Sequence, residues 1–454
     1  MLRRMYLNPV CRLQCGRNPA LFTGMKGKII ALLLIFGNLS AQEVEISSAD
    51  ALFQMALASN PAVRNAALQR DLAGITRKIA GVNAFSPRVP VSYQALDNIA
   101  LQKTYVPGVI FGQPEGSYKE LIMGQKYVAT FNLSPQFDIL NFSNRAQRRA
   151  AVVNEELAEL SEKQAQRDIH LQINAAFHNV ISFDRQKHIL EENLEVARKI
   201  RTITGNRFEE GIARSQEVNE AEVNVVTLEN SLVQLEENRR LQVELLKLLA
   251  RPEGDLRIRE ETDTGPAPEL RAEGSLEADL ARTRTRMAGQ DVRSARLDQW
   301  PVLSAVSSFN WQSLDNRFFY GSGSSAIYFA YVGLKLSWDL PTNVQKVSNL
   351  KNREVQWKIA ENNRELAEEQ QVYDNLRLET ELRKAQLQLE SLQKIETLKK
   401  DTFEKNFAQF EENILPLDKL LISQNDWLTS RLNEAAGAVN VKYNYEILRI
   451  NNRY

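Results

Sequence analysis

The 454-residue sequence carries 57 basic and 57 acidic side chains, so no net charge directs it toward nucleic acid or an acidic substrate. At 43% hydrophobic residues, with 20 glycines and 14 prolines, it is too apolar for disorder, yet its mean hydropathy of −0.37 is low for a bundle of membrane helices. These values fit a folded chain of long helices with polar outer faces.

From Met25 the stretch MKGKIIALLLIFGNLSAQ has the parts of a secretory signal: Lys26 and Lys28, an apolar run from Ile29 to Phe36, and small residues ending at Ala41. Residues 1–41 therefore read as an extension plus signal peptide, with Met25 as the start and Gln42 as the first mature residue. Cys11 and Cys15 both precede Met25. A mature chain without cysteine has no disulfide, no thiolate metal site and no lipid-modified amino-terminal Cys. Beyond the signal no run of roughly 18 apolar residues occurs, so any membrane span must be built of strands.

The mature chain divides into a first repeat over residues 42–250, a linker over 251–274 rich in Pro, Gly and charge, and a second repeat over 275–454. Each repeat opens on an amphipathic helix. The first begins near Ser47 and is broken by Asn60 and Pro61; the second begins near Ser275. Next come strand-like stretches, PRVPVSYQAL from Pro87 and QKYVATFNLSPQFDIL from Gln125, matched by PVLSAVSSFNW from Pro301 and SAIYFAYVGLKLSWDL before Pro341. Phe131, Leu133 and Phe137 alternate with Thr130, Asn132, Ser134 and Gln136; Val332, Leu334, Leu336 and Trp338 alternate with Gly333, Lys335, Ser337 and Asp339. Period two gives each strand one apolar and one polar face. Each repeat thus supplies one β-hairpin with an irregular loop, at about residues 98–124 and 312–325. Four strands do not close a barrel, and an open edge cannot face lipid, so membrane-spanning strands require several chains.

A long helical pattern follows each hairpin. In the first, apolar positions run Ala150, Val153, Leu157 and Leu160, then after a phase slip Ile169, Ile173, Ala176, Val180, Phe183, Leu190, Leu194 and Ala197. The spacing predicts a helix from near Asn141 to near Arg207, roughly 100 Å long, and a second with a noisier seam over about 342–409. Both end on nearly the same five letters, FEEGI at 208–212 and FEENI at 410–414. Gly211 and Asn413 sit where helices end in a left-handed residue, and Ser215 and Pro416 where the return helices start. Return-helix seams run Val218, Ala221, Val225, Leu228, Leu232, Leu235, Leu246 and Leu249, and Leu428, Leu432, Ala435, Val439, Tyr443, Ile447 and Ile450.

The duplicated order, with SNPAVRNA, QFDIL, SWDLP, FEEGIARS and FEENILPL, resembles the TolC-like outer-membrane efflux family over essentially the whole mature chain. The resemblance implies a mainly α protein with a transmembrane β part. A homotrimer pools strands into a 12-stranded β-barrel, continued by a periplasmic α-helical coiled-coil tunnel. It also implies an exit duct in outer-membrane lipid, serving a periplasmic adaptor (membrane fusion) protein and an inner-membrane transporter in a tripartite efflux or type I secretion system. A periplasmic coiled-coil adaptor or scaffold without a barrel is the alternative, although an adaptor has no need of repeated strands.

Around the turns Glu209, Glu210, Glu217, Glu220, Glu411, Glu412 and Asp418 are candidates for a periplasmic aperture, since a trimer turns them into acidic rings. For any single one, a solvated helix-end charge is the plainer reading. In relatives, aperture acids follow the loop glycine. Glu217 lies six residues past Gly211, whereas six past Asn413 is Lys419, and Leu415 stands where some relatives carry an arginine. Gly211, Ile212, Asn413, Ile414 and Leu415 are candidates for adaptor contact, with packing between hairpins as the alternative. Tyr127, Tyr328, Tyr331, Trp311 and Trp338 are candidates for aromatic girdles, with packing at the junction of barrel and helices as an equal alternative for Trp338. His170, His178 and His188 share the long helix without a ligand cluster. No nucleophile motif, phosphate-cradling loop or HExxH occurs, so neither catalysis nor a cofactor is expected.

Overall fold

The computed structural model describes residues 44–83, 87–252, 254–260, 272–319, 323–340 and 344–454. The expected signal segment, Gln42, Cys11 and Cys15 lie outside the described residues, as do residues 261–271 of the linker. Among the described residues no helix is long and apolar enough to cross a membrane.

Strand β1 (Val44–Ile46) leads into α1 (Ala49–Ser59) and α2 (Pro61–Asn83). The break between these helices falls at Asn60, where the sequence places it. Asn60 is buried, its Oδ1 accepts the Ala62 N–H at 2.8 Å, and its Nδ2 donates to the Leu249 carbonyl at 2.9 Å. One side chain therefore caps α2 and ties the helical corner to a distant part of the chain.

The sheet strands of the first repeat are β2 (Val91–Asp97), β5 (Tyr127–Leu133) and β6 (Gln136–Leu140). Between β2 and β5 lies a separate hairpin, β3 (Gln102–Pro107) and β4 (Tyr118–Met123), where the sequence suggests only a loop. Then follow α3 (Phe142–Glu209), α4 (Ser215–Ala250), β7 (Leu256–Ile258), α5 (Leu276–Leu297), β8 (Val302–Asp315), β9 (Ser325–Ser337), α6 (Val344–Glu411) and α7 (Leu417–Arg453). The long helices α3 and α6 have 68 residues each.

Strand β8 is paired on both sides, with β9 along one edge and β5 and β6 end to end along the other; β2 lies beyond β5. Strands β5 and β6 keep one register on β8 across the interruption at Ser134 and Pro135, and a bulge at Ile139 shifts it by one. The sheet is thus four strands wide, with the outer edges of β2 and β9 unpaired among the described residues. The register puts Tyr93, Phe131, Trp311 and Tyr328 side by side in one row. That face also carries Val91, Leu133, Phe309, Val332, Leu334 and Leu336, and Val332 is 87% exposed. The opposite face carries Ser92, Gln94, Thr130, Asn132, Ser304, Asn310, Gln312 and Lys335. Period-two patterning in sequence is therefore realised as an apolar and a polar surface. One aromatic placement differs from expectation: Tyr331 lies on the polar face, opposite Tyr328; Trp338 lies just past β9, at the junction of sheet and helices, donating its indole N–H to the Gln299 carbonyl at 3.0 Å. Tyr127 packs edge-on against Phe319, with ring centroids 5.0 Å apart.

Helix α3 is the spine of the helical part. Near the sheet it packs between α2 and α5; toward its far end it packs between α4 and α7, while α6 lies against α5 and α7. The predicted seam holds in its second stretch, where Ile169, Ile173, Ala176, Val180, Leu190, Leu194 and Ala197 are buried. Three hydrophobic clusters follow along α3: one around α1, β1 and β7, one in the middle, and one at the helical turns. The linker begins as structure, since Leu256 and Ile258 of β7 are buried in the first cluster beside β1, its parallel partner. Glu260 then pins the linker to α3 and α7 through Arg185 and Lys442, the latter at 2.9 Å. Burial pushes the Glu260 carboxyl up, but these two cations outweigh it and hold it below its ordinary 4.5. The noisier seam of α6 has a physical cause. That helix forms the edge of the wall, and Val355, Ile359, Leu366, Leu376 and Leu398 stay exposed.

Ser215 and Pro416 differ by one position from their expected roles. Arg214 and Pro416 are the residues preceding α4 and α7, Ser215 is already helical, and neither cap uses a side-chain hydrogen bond.

Replacing Asn60 with Ala removes a cap and a buried bond, and should cost about 1–3 kcal/mol, read as a lower thermal midpoint by circular dichroism. Glu260→Gln should destabilise at pH 7. Because the folded pKa is depressed, the stabilisation is present above about 4.5 and lost as pH falls through the lower folded value. The difference between wild type and variant in thermal midpoint should therefore shrink on acidification through that range.

Candidate functional site at the helical turns

The two turns close α3 and α6 with one hydrogen-bond pattern. In the first, Gly211 N–H donates to the Phe208 carbonyl at 3.0 Å, and Ile212 and Ala213 donate to the Arg207 carbonyl at 2.8 and 3.1 Å. In the second, Asn413 donates to Phe410 at 3.0 Å, and Ile414 and Leu415 donate to Gln409 at 2.9 and 3.2 Å. Gly211 has φ +76° and Asn413 φ +60°, the left-handed conformation expected of both. Gly adopts it without a Cβ clash, and Asn tolerates it better than other side chains.

The hairpins meet through the third cluster. Ile200 of α3 and Ala221 of α4 pack with Phe403, Phe410, Leu417 and Leu420, and Phe403 stacks on Trp427 at 4.9 Å. Above this cluster lies a polar layer: Gln424 donates to Asn193 Oδ1 at 2.8 Å and accepts from Asn224 Nδ2 at 3.0 Å, joining α3, α4 and α7. A second link runs across the turns. Arg207 donates to the Phe410 and Glu411 carbonyls at the end of α6, and its guanidinium lies 4.4 Å over the Phe410 ring. Lys199 pairs with Glu411 at 3.0 Å and lies 4.5 Å over Phe407. The carbonyls left free at a helix end are natural acceptors for a cation.

Of the seven acids singled out in sequence, Glu411 alone is drawn into an ion pair among the described residues. Glu209, Glu210, Glu220, Glu412 and Asp418 are exposed, and Glu217 is half-buried in the first turn of α4. Ile212 and Ile414 project from the tips, 56% and 73% exposed. Leu415 instead is half-buried against the third cluster, so packing accounts for part of its role. Arg207 and Lys199 were not among the expected site residues. The one hint was that Arg207 directly precedes FEEGI, but its acceptors lie 203 and 204 positions away.

The three histidines are far from forming a site. His170 is buried, stacks on Phe53 at 4.0 Å, and places Nε2 3.1 Å from Asp50 Oδ1. His178 faces the Asn174 carbonyl at 2.9 Å, and burial pushes its pKa down. His188 is exposed beside Glu192 at 3.1 Å. Among the described residues no group of three or more His, Cys, Asp or Glu is placed to hold a metal.

The αL position gives a direct test. Asn413→Gly should be neutral or stabilising, whereas Asn413→Val should cost about 1–2 kcal/mol, measured by thermal denaturation of the two variants.

Residues 52–250 match the family model described as outer membrane efflux protein. No curated protein sequence matches the chain. The fold is similar to that of the outer membrane protein VceC from Vibrio cholerae, at 16% identity over 89% of this chain and 96% of that one, with a TM-score of 0.71. It is also similar to the CmeC outer membrane channel of Campylobacter jejuni, at 16% identity over 96% and 93% of the two chains with a TM-score of 0.64. The MtrE outer membrane channel of Neisseria gonorrhoeae, in its open state, gives 13% identity, 88% coverage of both chains and a TM-score of 0.64. Sequence over the first repeat matches that family model, and the fold over nearly the whole length is similar to that of these outer membrane proteins, in agreement with the resemblance read from the motifs.

Proposed function

We propose that three copies of this chain form an outer-membrane exit duct, open to the periplasm at the helical turns. The observation that carries the reading is the sheet, four strands wide, with one apolar face and two edges unpaired among the described residues. Such a sheet is stable in hydrocarbon only when β2 of one copy pairs with β9 of the next. Three copies of four strands give a closed barrel of twelve. The helices support the same closure. Leu68, Leu72, Ile75 and Ile79 on α2, and Val223, Val226 and Val233 on α4, are exposed at one edge of the wall, and α6 exposes its own apolar residues at the other.

In this assembly the six turns ring the periplasmic end. Glu209, Glu210, Glu217, Glu220, Glu412 and Asp418 form acidic rings that favour cations and set the aperture, while Arg207 and Lys199 hold the second hairpin against the first. Ile212 and Ile414, with Gly211 and Asn413 shaping the tips, present the surface for a periplasmic adaptor that joins the duct to an inner-membrane transporter. The system is of the tripartite efflux or type I secretion kind. The chain's place is the outer membrane, extending into the periplasm.

Detergent-extracted protein should run as a trimer by native mass spectrometry and conduct ions in planar bilayers. Arg207→Ala should raise conductance several-fold by releasing the end of α6. A monomer recovered from the soluble periplasm, without conductance, would overturn the duct in favour of a periplasmic scaffold.

A further inference from the structure

Three arginines at the start of α3 have no role in the duct as described. Arg145, Arg148 and Arg149 are exposed and share one stripe, at spacings of three and four, within the first turns of the helix. The first carboxylates further along α3 are already engaged, Glu155 by Arg77 of α2 and Glu156 by Arg286 of α5. Among the described residues none of the three arginines forms an ion pair. At the neighbouring start of α6 the cations are paired instead: Lys346 with Asp339 at 3.1 Å, Lys351 with Glu354 at 2.9 Å, and Arg353 with Asp291 at 3.2 Å. Nor is the stripe kept for helix packing, because α3 already has α2 on one flank and α5 on the other.

Depth decides what the stripe meets. Helix α3 begins where the apolar sheet face ends, after exposed Ile139 and Leu140. There Phe142 packs edge-on against the exposed Trp300 with centroids 5.4 Å apart, and Arg145 lies 6.0 Å over the Phe142 ring. Aromatic residues of this kind mark the boundary between hydrocarbon and headgroups. A rise of 1.5 Å per residue places Arg145 to Arg149 about 5–10 Å beyond Phe142, the thickness of one headgroup layer.

We propose that Arg145, Arg148 and Arg149 form a binding strip for the headgroup phosphates of anionic phospholipids in the periplasmic leaflet of the outer membrane. The inference rests on the barrel being the membrane-spanning part. Guanidinium groups bind phosphate oxygens through paired hydrogen bonds, and three on one stripe contact adjacent headgroups. The strip anchors the first long helix at the barrel rim, the point where each copy turns from membrane to periplasm.

The test is native mass spectrometry of the detergent-solubilised full chain, titrated separately with phosphatidylglycerol, phosphatidylcholine and inorganic phosphate. Wild type should retain phosphatidylglycerol in preference to phosphatidylcholine, and inorganic phosphate should not displace it. The combined Arg145→Gln, Arg148→Gln, Arg149→Gln variant should lose phosphatidylglycerol adducts at least about tenfold, and the corresponding triple Lys variant should keep most of them. Equal retention of the two lipids by wild type overturns the proposal without any variant. So does a folded Gln variant with undiminished adducts, or one whose altered property is ion selectivity in planar bilayers, which places the arginines in the lumen. A conducting trimer without lipid preference refutes the strip alone; absence of both trimer and conductance refutes the duct.

Discussion

A backbone N–H or C=O without a partner in hydrocarbon costs several kcal/mol, and the proposed duct follows from that penalty. Strand β8 satisfies both of its edges inside the chain, whereas among the described residues β2 and β9 each leave one edge open beside an apolar face. In the proposed duct the open edges of such a sheet are completed by another copy. The helical wall repeats the situation with side chains in place of backbone groups, since α2 and α4 at one edge and α6 at the other keep exposed aliphatic residues. In the proposed duct, closure of the sheet and closure of the wall are one event, because the same continuous helices α3 and α6 grow from the strands.

Duplication supplies two hairpins that are alike in backbone and different in side chain. The hydrogen bonds at the two turns superpose donor for donor, with Gly211 and Asn413 in the same left-handed pose. At the turns themselves Arg207 and Lys199 of the first hairpin reach Phe410 and Glu411 of the second. Leu415 is tucked into the cluster that joins the hairpins, whereas Ile212 and Ile414 stand out. The tips therefore present two inequivalent surfaces built on one geometry. Rigidity in this region comes from the packed aromatic residues around Phe403 and Trp427, and register from the polar layer of Asn193, Asn224 and Gln424. A buried polar group that is satisfied in one alignment only disfavours sliding of helix on helix.

What was legible in the sequence is what depends on neighbours along the chain. Alternation of Phe131 and Leu133 with Thr130 and Asn132 determined the two faces of a strand, and steps of three and four determined the buried side of α3 and its return helix. Asn60 and Pro61 determined a helix break, and Gly211 and Asn413 the ends of two helices, because a left-handed φ is a property of one residue. The tertiary structure alone decided which strands pair, that Tyr331 faces away from Tyr328, and that the linker strand β7 lies parallel to β1 some two hundred residues earlier. It alone decided that a hairpin, β3 with β4, occupies the loop after β2. It also decided that Arg207 caps the end of α6 while Arg145, Arg148 and Arg149 form no ion pair among the described residues. A charge's partner is set by packing between segments remote in sequence, and local periodicity carries no record of that distance.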